Sequence, residues 1–190
     1  MVPSDPAARH RLVAGVFSER VRGTHDWTAP APVAGWVARD VVDHLVSWFP
    51  GFLAMGSDVR LPAGPPADED PVGAWQVHAD GVQAVLDDPA AADRVFSHVH
   101  TGTLPLPTAI DRFYTADVFM HTWDLARATG QDDVLDPTFC GDLLAGMEPI
   151  EDLMRGSGQY GDRVPVSDGA DVQTRLLGFI GRDPFWTPPA

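Results

Sequence analysis

Apolar residues recur at helical spacing in several stretches of this chain, and its 18 Pro and 18 Gly gather in the joints between them. That alternation restricts the fold to helices packed along apolar stripes, with little room for sheet. The spacing predicts a first helix from about Pro6 to Val21, capped by Ser4 or Asp5 with Pro6 in its first turn. A second covers about Val37 to Met55, with a bend or break expected at Pro50-Gly51, and a third about Val72 to Leu86. The fourth runs from about Pro107 to Thr129 and ends at Gly130 as a C-cap. Further helical segments are expected over about Pro137 to Arg155 and Asp171 to Ile180. Between Asp87 and Pro107, the weak alternation of Arg94 to His100 suits a short strand or an extended crossover.

The chain has 190 residues, 44% of them hydrophobic, which suits one domain over 1–190: a helical core over about 6–155 and a C-terminal extension over about 156–190. Six Trp and nine Phe need burial, which argues against disorder. The stretch from Val41 to Met55 is interrupted by Asp43, His44 and Pro50, well short of the about 20 apolar residues of a membrane span. Asp5, Arg9, His10 and Arg11 interrupt the N-terminal stretch before an apolar signal segment forms, so a cytoplasmic location is expected. Thirteen basic residues, all Arg, against 27 acidic ones give a net charge of −14, which repels phosphate backbones and excludes nucleic acid as a partner. The single cysteine, Cys140, forbids an internal disulfide and reads as a small buried hydrophobe.

Polar residues on apolar stripes carry a desolvation cost that needs a reason. His44 sits on the greasy face of the second helix, and Asp117 and His121 share one face of the fourth. At i, i+4 spacing their Cβ atoms are about 6 Å apart, close enough for one ion to take an imidazole nitrogen and a carboxylate oxygen. His44, Asp117 and His121 are therefore the candidate metal ligands. Two imidazoles and one carboxylate leave a coordination position open, the pattern of a reactive site rather than a structural one. The set suits Zn²⁺, with Ni²⁺ or Fe²⁺ as alternatives. Asp40 and Asp124 are candidates for orienting the ligands, and Arg127 for meeting an anionic substrate.

Blander readings stand beside these. An Asp-x-x-x-His pair is often a plain ion pair, and His44 can be a core histidine satisfied by Asp40. His98 and His100 would share a face on a strand and are the second-choice ligands, although a solvated loop explains them as well. His78 lies among polar neighbours, and His10 and His25 lie near exposed ends or loops. Trp36, Trp48 and Trp123 read as core, and Asp68-Glu69-Asp70 as solvated surface. No nucleophile elbow or P-loop is present, and the glycines of Arg155-Gly156-Ser157-Gly158 follow a helix instead of opening one.

Three pieces of sequence together carry a resemblance: Gly35-Trp36-Val37-Ala38-Arg39-Asp40-Val41-Val42-Asp43-His44-Leu45, Asp117-Val118-Phe119-Met120-His121-Thr122-Trp123-Asp124-Leu125-Ala126-Arg127-Ala128, and Arg175 to Pro184. The chain resembles actinobacterial metal-binding proteins of the DinB-like superfamily, related to the N-terminal domain of mycothiol-dependent maleylpyruvate isomerase. The resemblance implies an all-α, antiparallel four-helix bundle with a divalent metal, usually zinc, at one end. It places the family's first histidine on His44 and its acidic-x-x-x-His pair on Asp117 and His121. The isomerase has Glu where Asp117 stands, and the residues after about Arg155 are too few to match its further C-terminal domain. The expected function is a metal-dependent S-transferase or isomerase using a mycothiol-type thiol and an electrophilic substrate, as monomer or homodimer. The alternative is a non-catalytic metal-containing ligand-binding or stress-related protein.

Overall fold

The computed structural model describes residues 2–99 and 101–189 and is mostly helical. Its long helices are α1 (Pro6–Gly23), α2 (Ala38–Gly56) and α3 (Pro71–Asp87). After a small hairpin of β1 (Val95–His98) and β2 (Gly102–Pro105) come α4 (Leu106–Ala109), a π-helical turn (Ile110–Thr115) and α5 (Ala116–Thr129). Shorter helices α6 (Pro137–Met147), α7 (Glu151–Gly156) and α8 (Val172–Phe179) complete the order. Both α1 and α2 pack against α3 and α5, while α6 packs against α8.

A repeated local signal starts many of these helices. Asp5-Pro6, Asp70-Pro71 and Asp136-Pro137 each put an aspartate at the cap and a proline at the first helical position. The carboxylates accept from the N–H groups of Ala8, Gly73 and Phe139 at 2.9–3.0 Å, while the prolines supply the right φ and lack an N–H that would have no helical partner. Asp171 caps α8 in the same way through Thr174 N–H. At the other end of α5, Gly130 takes φ +67°, the left-handed conformation that ends the helix as expected.

Two local expectations are revised, and one left open between strand and crossover is resolved as strand. Helix α2 runs on through Pro50 and Gly51, because Phe49 and Leu53 on either side are both sealed in the core. The ambiguous stretch before α4 is a two-stranded antiparallel hairpin, with Phe96 opposite Leu104 and Phe96 fully buried. The segment from Pro137 to Arg155 is split into α6 and α7 by a 3₁₀ turn at Glu148–Ile150, where Pro149 lacks the N–H needed to continue the ladder.

The fourth predicted helix has an irregularity that its periodicity did not announce. Leu106 to Thr129 runs on helically throughout, but the N–H of Ala116 donates to the carbonyl of Asp111, five residues back. Such widened turns are rare and often lie beside functional sites. Here the turn carries Ile110, Tyr114 and Thr115 into the interior, immediately before Asp117.

The core is dense with rings. Phe17 meets Trp75 with 4.5 Å between centroids, and Phe49 stacks on Tyr114 at 4.1 Å. Two histidines expected on polar or exposed ground are inside: His10 is 0% and His78 4% exposed, flanking Tyr114 at 5.8 and 5.3 Å. His10 Nδ1 lies 3.0 Å from Thr115 Oγ1. The error came from their neighbours in sequence; α1 and α3 bury these positions against each other and the π turn. Desolvation pushes His10 down to about 3, helped by His78 nearby, and His78 down to about 4.

These shifts make stability depend on pH. Below their ordinary value of about 6.5, the unfolded chain protonates both imidazoles while the folded chain keeps them neutral down to about 4. Stability therefore falls as pH drops through that window, with a slope approaching about 2.7 kcal/mol per pH unit from the two together. Urea denaturation at a series of pH values should show this loss, and H10Q/H78Q should lack that part of it.

Candidate metal centre

Helix α2 enters from a loop tied down by the chain itself. Ala31 N–H donates to Trp36 O at 2.9 Å and Trp36 N–H to Val33 O at 3.0 Å. Gly35 takes φ +81°, which lets the chain reverse before Trp36. The Asp40 carboxylate turns back to accept from Val37 N–H at 2.8 Å. It thereby caps α2 instead of orienting His44, the role expected for it. The orphaned first N–H groups of a helix make the stronger claim on a carboxylate placed three residues in.

Two turns into α2, Val41 and Leu45 are fully buried, and His44 stands at the margin of their stripe with 32% of its side chain exposed. Across from it, α5 presents Asp117 and, one turn on, His121. His44 Nε2 lies 3.1 Å from Asp117 Oδ2, and His121 Nε2 3.5 Å from Asp117 Oδ1. One ligand atom from each of the three lies within 4.8 Å of the others, so this group can hold a metal ion. No other set of three His, Cys, Asp or Glu converges in this way among the described residues. The donors suit a borderline cation: two imidazole nitrogens and one carboxylate oxygen. Exposure falls from His44 through Asp117 (18%) to His121 (7%), so the group opens toward solvent on the His44 side.

Behind His121 lies a buried charge chain. Asp124 Oδ2 is 2.8 Å from His121 Nδ1, although the N–H does not point squarely along that line. The Asp124 carboxylate, 1% exposed, takes both Nε and Nη2 of Arg182 at 2.9–3.2 Å. Burial alone would raise the Asp124 carboxyl, but the Arg182 charge and His121 more than offset it and hold it below the usual range. Asp124 thus faces His121 from the side opposite Asp117, the position an orienting residue would take. The arginine was not singled out, although it stands in the third piece of the resemblance. Gly181 places it: φ is +85° there, and a Cβ would sit 2.8 Å from the Gly161 backbone.

Two of the tryptophans also belong to the site, where the sequence suggested core. Trp48 Nε1 donates to Asp117 Oδ2 at 3.0 Å. Trp36 stacks on His121 at 5.8 Å with ring planes 14° apart, and meets His44 at 5.2 Å. Both are half-buried, and their i, i+8 and i, i−4 relations to the ligands gave the only advance signal. Trp123, 1% exposed, is core as expected.

The remaining candidates lie elsewhere. Arg127 is committed to Asp133 at 2.8 Å and to the Trp186 carbonyl at 2.9 Å, so it braces the C-terminal segment and is not offered to a substrate. His98 lies on β1 against Phe52 and Phe96, apart from the triad, and His100 lies outside the described residues. Cys140 is fully buried, and burial pushes its thiol up to about 12, which removes it as a nucleophile. Asp68 and Glu69 are exposed, and Asp70 caps α3.

Removing one partner of the Arg182–Asp124 pair strands a buried charge, so R182M should lower unfolding stability by about 3–5 kcal/mol in a denaturant titration. D124N strands Arg182 in the same way and should lose stability too; it also removes the anion behind His121, which should weaken Zn²⁺ affinity by about 10-fold or more in a competition titration.

No protein-family model and no solved structure matches the chain. Two proteins of Mycobacterium tuberculosis do: Uncharacterized protein MT0763 of strain CDC 1551 / Oshkosh and Uncharacterized protein Rv0738 of strain ATCC 25618 / H37Rv. Each is 30% identical over 174 residues, covering 90% of this chain and 90% of its own. At that identity and coverage, the chain belongs to the family of these two mycobacterial proteins.

Proposed function

We propose that this is a DinB-like divalent-metal protein, an antiparallel four-helix bundle whose His44, Asp117 and His121 hold zinc, or alternatively nickel or iron(II). On this reading it is an S-transferase or isomerase that brings a mycothiol-type thiol to an electrophilic substrate in the cytoplasm. The observation that carries it is the convergence of two imidazoles and one carboxylate from α2 and α5, with the mouth on the His44 side. A divalent ion bound there supplies a Lewis acid that favours the thiolate over the thiol.

The chain's own residues do the rest. Asp117 and the two imidazoles supply a net charge of −1 to balance the cation, and Asp124 orients His121 from behind. Trp36 and Trp48 shield the donors from bulk water, which strengthens every charge interaction inside. The only cysteine is buried, so on this reading the nucleophilic sulfur is that of the small-molecule thiol.

Elemental analysis of the purified protein should find one divalent metal per chain, lost in both H44A and H121A. Metal that survives both substitutions would move the site to other residues. Metal-loaded protein given mycothiol and a panel of electrophiles should consume thiol at a metal-dependent rate. Bound metal without such a rate would mark a binding protein in place of an enzyme.

A further inference from the structure

The two oxygens of Asp117 keep different company. Oδ1 faces His121 Nε2 at 3.5 Å, whereas Oδ2 lies 3.1 Å from His44 Nε2 and 3.0 Å from Trp48 Nε1. An imidazole that holds a cation turns its lone pair to it, whereas an indole N–H only donates and so can keep its hold on Oδ2 beside a bound ion.

We infer that Trp48 is a positioning residue that limits Asp117 to one metal-binding oxygen: it engages Oδ2 and leaves Oδ1 to the cation. This rests on the metal-binding reading above. A carboxylate free to rotate would offer both oxygens and fill a further coordination position. With Oδ2 held, that position stays open for an incoming ligand. The indole is itself well held, with ring contacts to Phe49 at 5.4 Å, Phe52 at 5.6 Å and Tyr114 at 6.1 Å. The hydrogen bond also draws charge from Asp117 and leaves the cation the stronger Lewis acid.

Co²⁺ is the probe, because its visible absorption weakens as coordination number rises. W48F keeps an aromatic ring and removes only the indole donor. Per bound ion it should absorb more weakly in the visible than the Co²⁺-loaded wild-type chain. An identical spectrum per bound ion would overturn the role of Trp48. A measurement on the unaltered protein stands beside it: in ¹⁵N-labelled, Zn²⁺-loaded chain, the Trp48 indole N–H should remain protected from solvent exchange. Exchange as fast as that of a free indole would also overturn it. If the wild-type chain takes up no Co²⁺, the metal reading itself fails; uptake with no effect of W48F removes only this inference.

Discussion

A carboxylate set between two helices with little water around it must be compensated, and Asp117 meets that demand with partners from both sides. His44 and Trp48 reach it from α2, and His121 from its own helix. The contact ties α2 to α5 at one point, and the pull of one carboxylate holds two imidazoles within reach of each other. Replacing the compensation by a dication costs the protein no rearrangement of backbone, since the three ligating groups already lie within 4.8 Å. That preorganisation is what lets the cluster hold a metal ion.

That arrangement is supported from further along the chain. The line from His121 to Asp124 to Arg182 connects α5 to the segment after α8. Leu176, Leu177, Phe179 and Ile180 bury that segment, so the arginine is anchored by apolar contact before its charge is used. Tyr160, also in the C-terminal part, is pushed up to about 12 by burial and by the negative charge of Asp117. The extension after the long helices is thus part of the site's electrostatics, and its Arg182 helps hold the Asp124 carboxyl below the usual range.

The helices and the members of the His44, Asp117 and His121 cluster were legible in the sequence for the same reason. Apolar periodicity marks the buried face of a helix, and a His or Asp placed on that face stands out against it, as His44, Asp117 and His121 did. The supporting contacts were less legible because each depends on geometry that periodicity does not encode. Asp40 has the same spacing to His44 as Asp117 has to His121, yet the open helix terminus captured it. Arg127 sits on the same helix as Asp117 and His121 but turns to Asp133 and Trp186, whereas Arg182, 58 residues from Asp124, closes on it through a left-handed glycine. The π turn before Asp117 leaves no composition signal, and it is what carries Tyr114 to the flank of His10 and His78.

Whether two imidazoles and one carboxylate from α2 and α5 grip a single divalent cation can be read from X-ray absorption at the zinc edge of the Zn²⁺-loaded protein. The spectrum should show nitrogen and oxygen neighbours at about 2.0–2.2 Å, outer-shell scattering from two imidazoles, and no sulfur in the thiol-free protein. A sulfur neighbour at about 2.3 Å, or a shell without imidazole scattering, would contradict it.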